Sequence, residues 1–214
     1  MLEAAVCWPL EAPLGARGKR GKAEANWVKK RKARKKAEAE KKAGQCLKAI
    51  PHYEKAIALA PKYGEAFNDL GNCLKQQGKI TEAEAAYQKA VDLNATVYAA
   101  INLADLYAGQ KRFDRAQQII EASIARNPSE GDLYFALAQV QFNQGRMKEA
   151  EEAGREAHSR THRIADVHLL LAKIYLAANK ASSAITQLEI FLEENPSGPV
   201  AAEVRRNLKA LSKQ

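Results

Sequence analysis

Cysteine is scarce in this chain of 214 residues, tryptophan scarcer still, and no apolar run approaches the length of a membrane span. Each shortage excludes something. Cys7, Cys46 and Cys73 are odd in number and show neither CxxC nor metal-ligand spacing, which fits free thiols in a reducing compartment better than a disulfide framework. A transmembrane helix needs roughly 18 or more consecutive apolar residues, so none is expected. The opening MLEAAVCWPL has Glu3 where a signal peptide would be basic, and Pro9 breaks its apolar stretch, which argues against a cleavable leader and for a cytoplasmic protein. No glycine-rich phosphate loop occurs. His158 and His162 stand four apart with His168 beyond, but no cysteine or carboxylate completes a metal shell, and His168 falls at a packing position. Cys73 has no histidine at a spacing that would activate it. No metal, no cofactor and no catalytic residue is expected, and the chain reads as a non-enzyme.

What is present is charge, unevenly distributed. The formal net charge is +9, yet thirteen Lys and Arg fall between Arg17 and Lys42 against only Glu24, Glu38 and Glu40. A near-neutral body therefore carries one basic segment, densest at Lys29, Lys30, Arg31, Lys32, Arg34, Lys35 and Lys36. Such a segment can hold phosphates of nucleic acid or an anionic membrane, meet the acidic face of a protein, or act as a solvated end cap. Trp27 alone interleaves it with an aromatic ring, so specific nucleic-acid recognition is not expected.

The rest of the chain is periodic. In GEAFNDLGNCLKQQGKITEAEAAYQKAVDLNA, Phe67, Leu70, Gly71 and Leu74 take helical spacing, Gly78 ends that helix, and Thr81 is placed as the N-cap of a second helix carrying Ala83, Tyr87 and Ala90 inward. The unit recurs. Alanine stands at Ala49, Ala83, Ala116, Ala150 and Ala184, 33 or 34 residues apart, and a small residue recurs in phase at Ala37, Gly71, Ala104, Ala138 and Ala172. Two helices cross closely only where small side chains meet, with large ones beside them. Turn-formers fall between the paired helices at Gly44, Gly78, Gly145 and Asn179, and Pro51 is placed in a first helical turn.

This pattern, matched at Phe67, Leu70, Gly71, Leu74, Ala83, Tyr87 and Ala90 and again at Tyr134, Leu137, Ala138, Gly145, Ala150 and Ala157, resembles the tetratricopeptide repeat. The resemblance implies an all-α solenoid of about five helix hairpins in a right-handed superhelix. Its units would cover about 30–63, 64–96, 97–130, 131–164 and 165–198, after a disordered arm over 1–22 and before a capping helix over 199–214 that sets Val200, Val204, Leu208 and Leu211 on one stripe. Gly154 departs from the pattern where a large residue belongs, weakening its helix by about 1 kcal/mol relative to Ala. His162 stands where a Pro would.

The resemblance also implies a protein or peptide partner on a concave wall made by the first helices of each pair. The residues placed there are Asn68, Asn72, Tyr98, Ile101, Asn102, Phe135, Gln139, Phe142, Leu169, Lys173 and Leu176, with the large apolar ones forming an exposed strip unless neighbouring repeats or the terminal helix cover them. The family's grip on a C-terminal carboxylate needs two Lys, two Asn and one Arg. Here Asn72 and Asn102 match, but Asn68, Asp132 and Ala136 stand where the cations belong, which excludes that ligand. The alternatives are an electrostatic adaptor to nucleic acid or membrane through residues 17–42, and self-association through the strip or the first unit.

Overall fold

A computed structural model describes residues 14–160 and 164–211, with side chains over 28–160 and 165–211. His162 and residues 1–13 of the expected arm lie outside it. Among the described residues there are eleven α-helices and no strand. They form five helical hairpins and a final helix, in two compact units, Met1–Ala86 and Tyr87–Gln214.

In the first unit α1 (Leu14–Lys42) packs on α2 (Cys46–Leu59), and α2 packs on α3 (Gly64–Gln76). Helix α4 (Ile80–Asp92) begins in this unit and runs into the second. Three readings are corrected here. The chain is already helical from Leu14, so the arm does not extend to residue 22. Helix α4 starts at Ile80, with Lys79 accepting its first bond from the Ala83 N–H at 2.9 Å, so Thr81 lies inside the helix and not at its cap. Pro51 sits in the second turn of α2, where its missing N–H leaves the Leu47 carbonyl without an intrahelical donor. Leu47 is at the surface, 67% exposed, where water can serve that carbonyl.

The second unit continues with α5 (Val97–Gly109) on α6 (Phe113–Arg126), α7 (Gly131–Asn143) on α8 (Met147–Arg160), and α9 (Ile164–Ala177) on α10 (Ala181–Glu194). Helix α11 (Pro199–Leu211) closes it against α10. The small residues lie where helix crossing requires them. Ala49, Ala83, Ala116, Ala150 and Ala184 are all fully buried, as are Ala37 and Ala138. Between α7 and α10 one apolar cluster gathers Phe135, Ala138, Val167, Leu171, Ile174 and Ala184. A second joins Leu188 and Phe191 of α10 to Ala201 and Val204 of α11, with Leu208 and Leu211 against it. Val200 is left 48% exposed, so the buried stripe of the last helix runs through Ala201 instead.

Gly154 has a positive reason to be there. A Cβ at this position would lie 2.7 Å from Leu171 Cδ2, so its absence lets α8 approach α9, and the propensity penalty is set against closer packing. The turns between paired helices are left-handed at Gly44, Gly78, Gly145 and Asn179, and also at Lys111 with φ 59°. At Lys111 the N–H of that residue bonds Ala108 O at 2.9 Å and the next N–H bonds Tyr107 O at 2.8 Å, the double bond that closes a helix through one left-handed residue. Gly145 and Arg146 make the same pair to Phe142 O and Gln141 O. Lysine carries no turn signal, so sequence reasoning passed over Lys111.

Candidate functional site

Within the second unit the first helices α5, α7 and α9 lie side by side, because each hairpin repeats the same crossing and so the same helix falls on the same face. Tyr98, at the start of α5 and 54% exposed, donates its hydroxyl to Asp132 Oδ2 of α7 at 3.2 Å and ties the two helices at that end. Thr96 caps α5 by accepting from the Tyr98 N–H at 3.3 Å. The turns after α7 and α9 are tied to the preceding second helices. Gln144 donates to Asp114 at 3.2 Å, and Lys180 donates to Glu151 at 2.6 Å. Arg155 adds a second ion pair to Glu151 at 2.8 Å, and the two cations hold its carboxyl below the ordinary carboxylate value, the Lys180 hydrogen bond contributing most.

A cleft of about 430 Å³ opens across the three first helices. Asp105, Ala108 and Gly109 of α5 line one side, Gln139, Val140, Phe142 and Asn143 of α7 the centre, and Leu170 and Lys173 of α9 the other side. Ala108 and Gly109 present almost no side chain to it, and a Cβ at Gly109 would meet no atom within 4 Å. An acidic residue stands on one flank and a basic one on the other, with two amide side chains between. Each amide has both donors and an acceptor, which matches the alternating N–H and C=O of a peptide backbone.

Of the residues placed on the wall from sequence, Gln139, Phe142 and Lys173 line this cleft. Ile101 and Asn102 are half-buried on α5 and are not among its lining. The exposed apolar strip is interrupted: Phe135 is only 8% exposed and belongs to the core beside Val167 and Leu171, and Leu169 packs against the cluster made with α11. The neighbouring repeat and the terminal helix cover them. Leu176 and Lys173 border a second groove of about 360 Å³ between α9 and α11. Ala108, Gly109, Val140 and Leu170 were missed from sequence. A small residue at the last turn of a first helix, opposite an aromatic one, is the signal that would have found them.

Asn68 and Asn72 belong to α3 of the first unit, each half-buried. In that unit the basic segment is divided by use. Lys30 lies over the Tyr63 ring at 4.4 Å, and Arg34 donates to the Tyr63 hydroxyl at 2.9 Å while pairing with Glu38 at 3.1 Å. Lys41 pairs with Asp69 at 2.5 Å. Arg31 and Lys35 are exposed, and Lys29, Lys32 and Lys36 face a concavity beside α2. Cys46 and Cys73 are both buried, and burial pushes the Cys73 thiol up to about 12, which removes it as a nucleophile near neutral pH. Among the described residues no cluster of His, Cys, Asp or Glu is arranged to hold a metal ion. No helix among them is long and apolar enough to cross a membrane.

Paired antiparallel helices recurring through the chain, with small residues at every crossing, define a helical-hairpin repeat protein. The chain belongs to the tetratricopeptide repeat family, whose model matches residues 34–97 and 101–161. Over 134 residues, 63% of the chain, it is 30% identical to the human protein O-mannosyl-transferase TMTC1, and it spans 15% of that protein's length. The fold is that of PilF from Pseudomonas aeruginosa, at a TM-score of 0.70 and 16% identity over 89% of this chain and 90% of that one. YrrB, described as a TPR protein with an unusual peptide-binding site, superposes at a TM-score of 0.59 and 16% identity over 79% of this chain and 88% of its own.

Proposed function

We propose that the chain is a non-catalytic interaction scaffold that holds an extended peptide segment of another protein in the cleft across α5, α7 and α9. The observation that carries this reading is the makeup of the cleft. The amides of Gln139 and Asn143 meet the peptide backbone, Phe142 offers an apolar contact for one side chain, and Asp105 and Lys173 read charge on either flank. YrrB shares the fold, so a repeat array of this kind can house a peptide-binding site. The transferase activity named for TMTC1 belongs to a chain of which this one matches a small part, and nothing in the cleft is arranged for group transfer.

A displayed library of random peptides selected on the full chain supplies a binder for the test. Asn143 and Lys173 are exposed, so Asn143→Arg with Lys173→Glu should leave the helical circular dichroism unchanged while weakening the synthetic peptide about tenfold or more. Undiminished affinity in that variant would remove the cleft from the reading.

A further inference from the structure

We infer that the leading face of the first hairpin is a docking surface for an acidic amphipathic helix of another protein. The surface is independent of the peptide cleft. On α1, Lys29, Lys32 and Lys36 stand at i, i+3 and i+7 with Ala33 between them, one stripe of one face. On α2, His52, Lys55 and Leu59 repeat the same spacing. The two stripes border a concavity of about 490 Å³ whose floor is Ala33 and Leu59. Among the described residues no acidic side chain lines it.

The register of the repeats shows what is unusual about this face. In step with Lys32, the later first helices carry Ala66, Ala99, Leu133 and Val167, all buried, and in step with Lys36 they carry Leu70, Leu103 and Leu171, also buried, and Leu137, half-buried. The first hairpin has lysine at places where the rest of the array has core. Polarity at such places could serve solubility alone, but solubility asks for charges of both signs interspersed. Among the described residues every charge on the lining is of one sign, with Glu40 of α1 approaching only His52, at 3.6 Å, while three other cations of α1, Lys30, Arg34 and Lys41, are matched to Tyr63, Glu38 and Asp69.

The chemistry of the face selects among anions. A phosphate is gripped best by the two-pronged guanidinium, and among the described residues no arginine lines the concavity. A nucleic acid strand would stack its bases on aromatic rings, and among the described residues the lining offers only the His52 imidazole. An apolar floor is of no use to either. A helix with leucine-like side chains on one stripe and carboxylates beside it fits both features, its apolar stripe on Ala33, Leu59 and the lysine stems, its carboxylates against the ammonium groups.

The test titrates the full chain into a fluorescein-labelled peptide of about 18 residues, long enough for a helix, with leucines on one stripe and glutamates elsewhere. Binding is read by anisotropy. Three further probes are used: the same composition scrambled to destroy the stripe, single-stranded oligothymidylate, and vesicles of phosphatidylserine and phosphatidylcholine. The striped peptide is expected to bind about tenfold tighter than the scrambled one. Lys32→Glu with Lys55→Glu is expected to weaken it about tenfold or more, while Lys62→Glu with Lys75→Glu, an equal charge change away from the concavity, leaves it within about twofold. Circular dichroism confirms folding of both variants. Equal binding of the scrambled peptide, tighter binding of the oligonucleotide or vesicles, or equal losses in the two variants would each overturn the inference.

Discussion

Lys111 is the residue whose replacement tests the local physics of the repeat most cleanly. It holds φ 59° at the turn where Gly78 and Gly145 hold 73° and 79° in neighbouring hairpins. An L-residue with a Cβ in that region is strained by about 1–2 kcal/mol, and the strain is absent in glycine. Against this, glycine gains freedom in the unfolded chain, a loss of about 0.5–1 kcal/mol on folding. Lys111→Gly should therefore stabilise the protein by about 0.5–1 kcal/mol, and the reverse change, Gly145→Lys, should cost about as much. The comparison is clean because a Cβ at Gly78 or Gly145 would meet no atom within 4 Å, which leaves backbone conformation as the cause. Urea titration followed by helical circular dichroism reads both variants, with thermal midpoints expected to move by about 2–4 °C per kcal/mol for a chain of this size. A destabilised Lys111→Gly, or a neutral Gly145→Lys, would refute the reasoning.

Three further predictions concern the core and its ion pairs. The Tyr53 hydroxyl is fully buried and has no hydrogen-bond partner among the described residues, so Tyr53→Phe should raise stability by about 1 kcal/mol in the same titration, and a loss would show that the hydroxyl has a partner after all. Gly154→Ala gains about 1 kcal/mol of helix propensity but brings a Cβ to 2.7 Å from Leu171, so it should be neutral to destabilising by about 2 kcal/mol, and clearly less costly in a Leu171→Val background; no coupling between the two would remove the close-approach explanation. Because Glu151 is held below its ordinary value by Lys180 and Arg155, its contribution is complete above the unfolded value, about 4.3, and is lost as pH falls through the folded one. The midpoint of the wild type should exceed that of Glu151→Gln at pH 7, and the gap should close below about pH 4; a gap independent of pH would exclude the ion pairs as its source.

The repeat was legible because it rests on a requirement that leaves a mark in every unit. Helix crossings demand small residues, and Ala49, Ala83, Ala116, Ala150 and Ala184 could be read from their spacing alone. Helix ends were less legible, since α4 begins at Ile80 after Lys79, a residue with no turn or cap signal, and Lys111 turns the chain through hydrogen-bond context. Of the residues expected on the wall, Gln139 and Lys173 line the cleft across the first helices, whereas Phe135 lies in the core. Periodicity places a residue on a face but does not say whether the next hairpin covers that face, and at Phe135 it does. Spacing likewise announced a basic segment, whereas only the folded first unit separates Lys30, Arg34 and Lys41, matched to Tyr63, Glu38 and Asp69, from Lys29, Lys32 and Lys36, which line a concavity.

The central claim is that a peptide lies across α5, α7 and α9. Hydrogen–deuterium exchange of the full chain with the library-selected peptide tests it most directly, read at the turns that end the first helices, residues 108–111 and 142–146. Slowed exchange at both turns, with none added along the outer faces of α6 and α8, is the predicted result; protection confined to α6 and α8, or to α1 and α2, would contradict it.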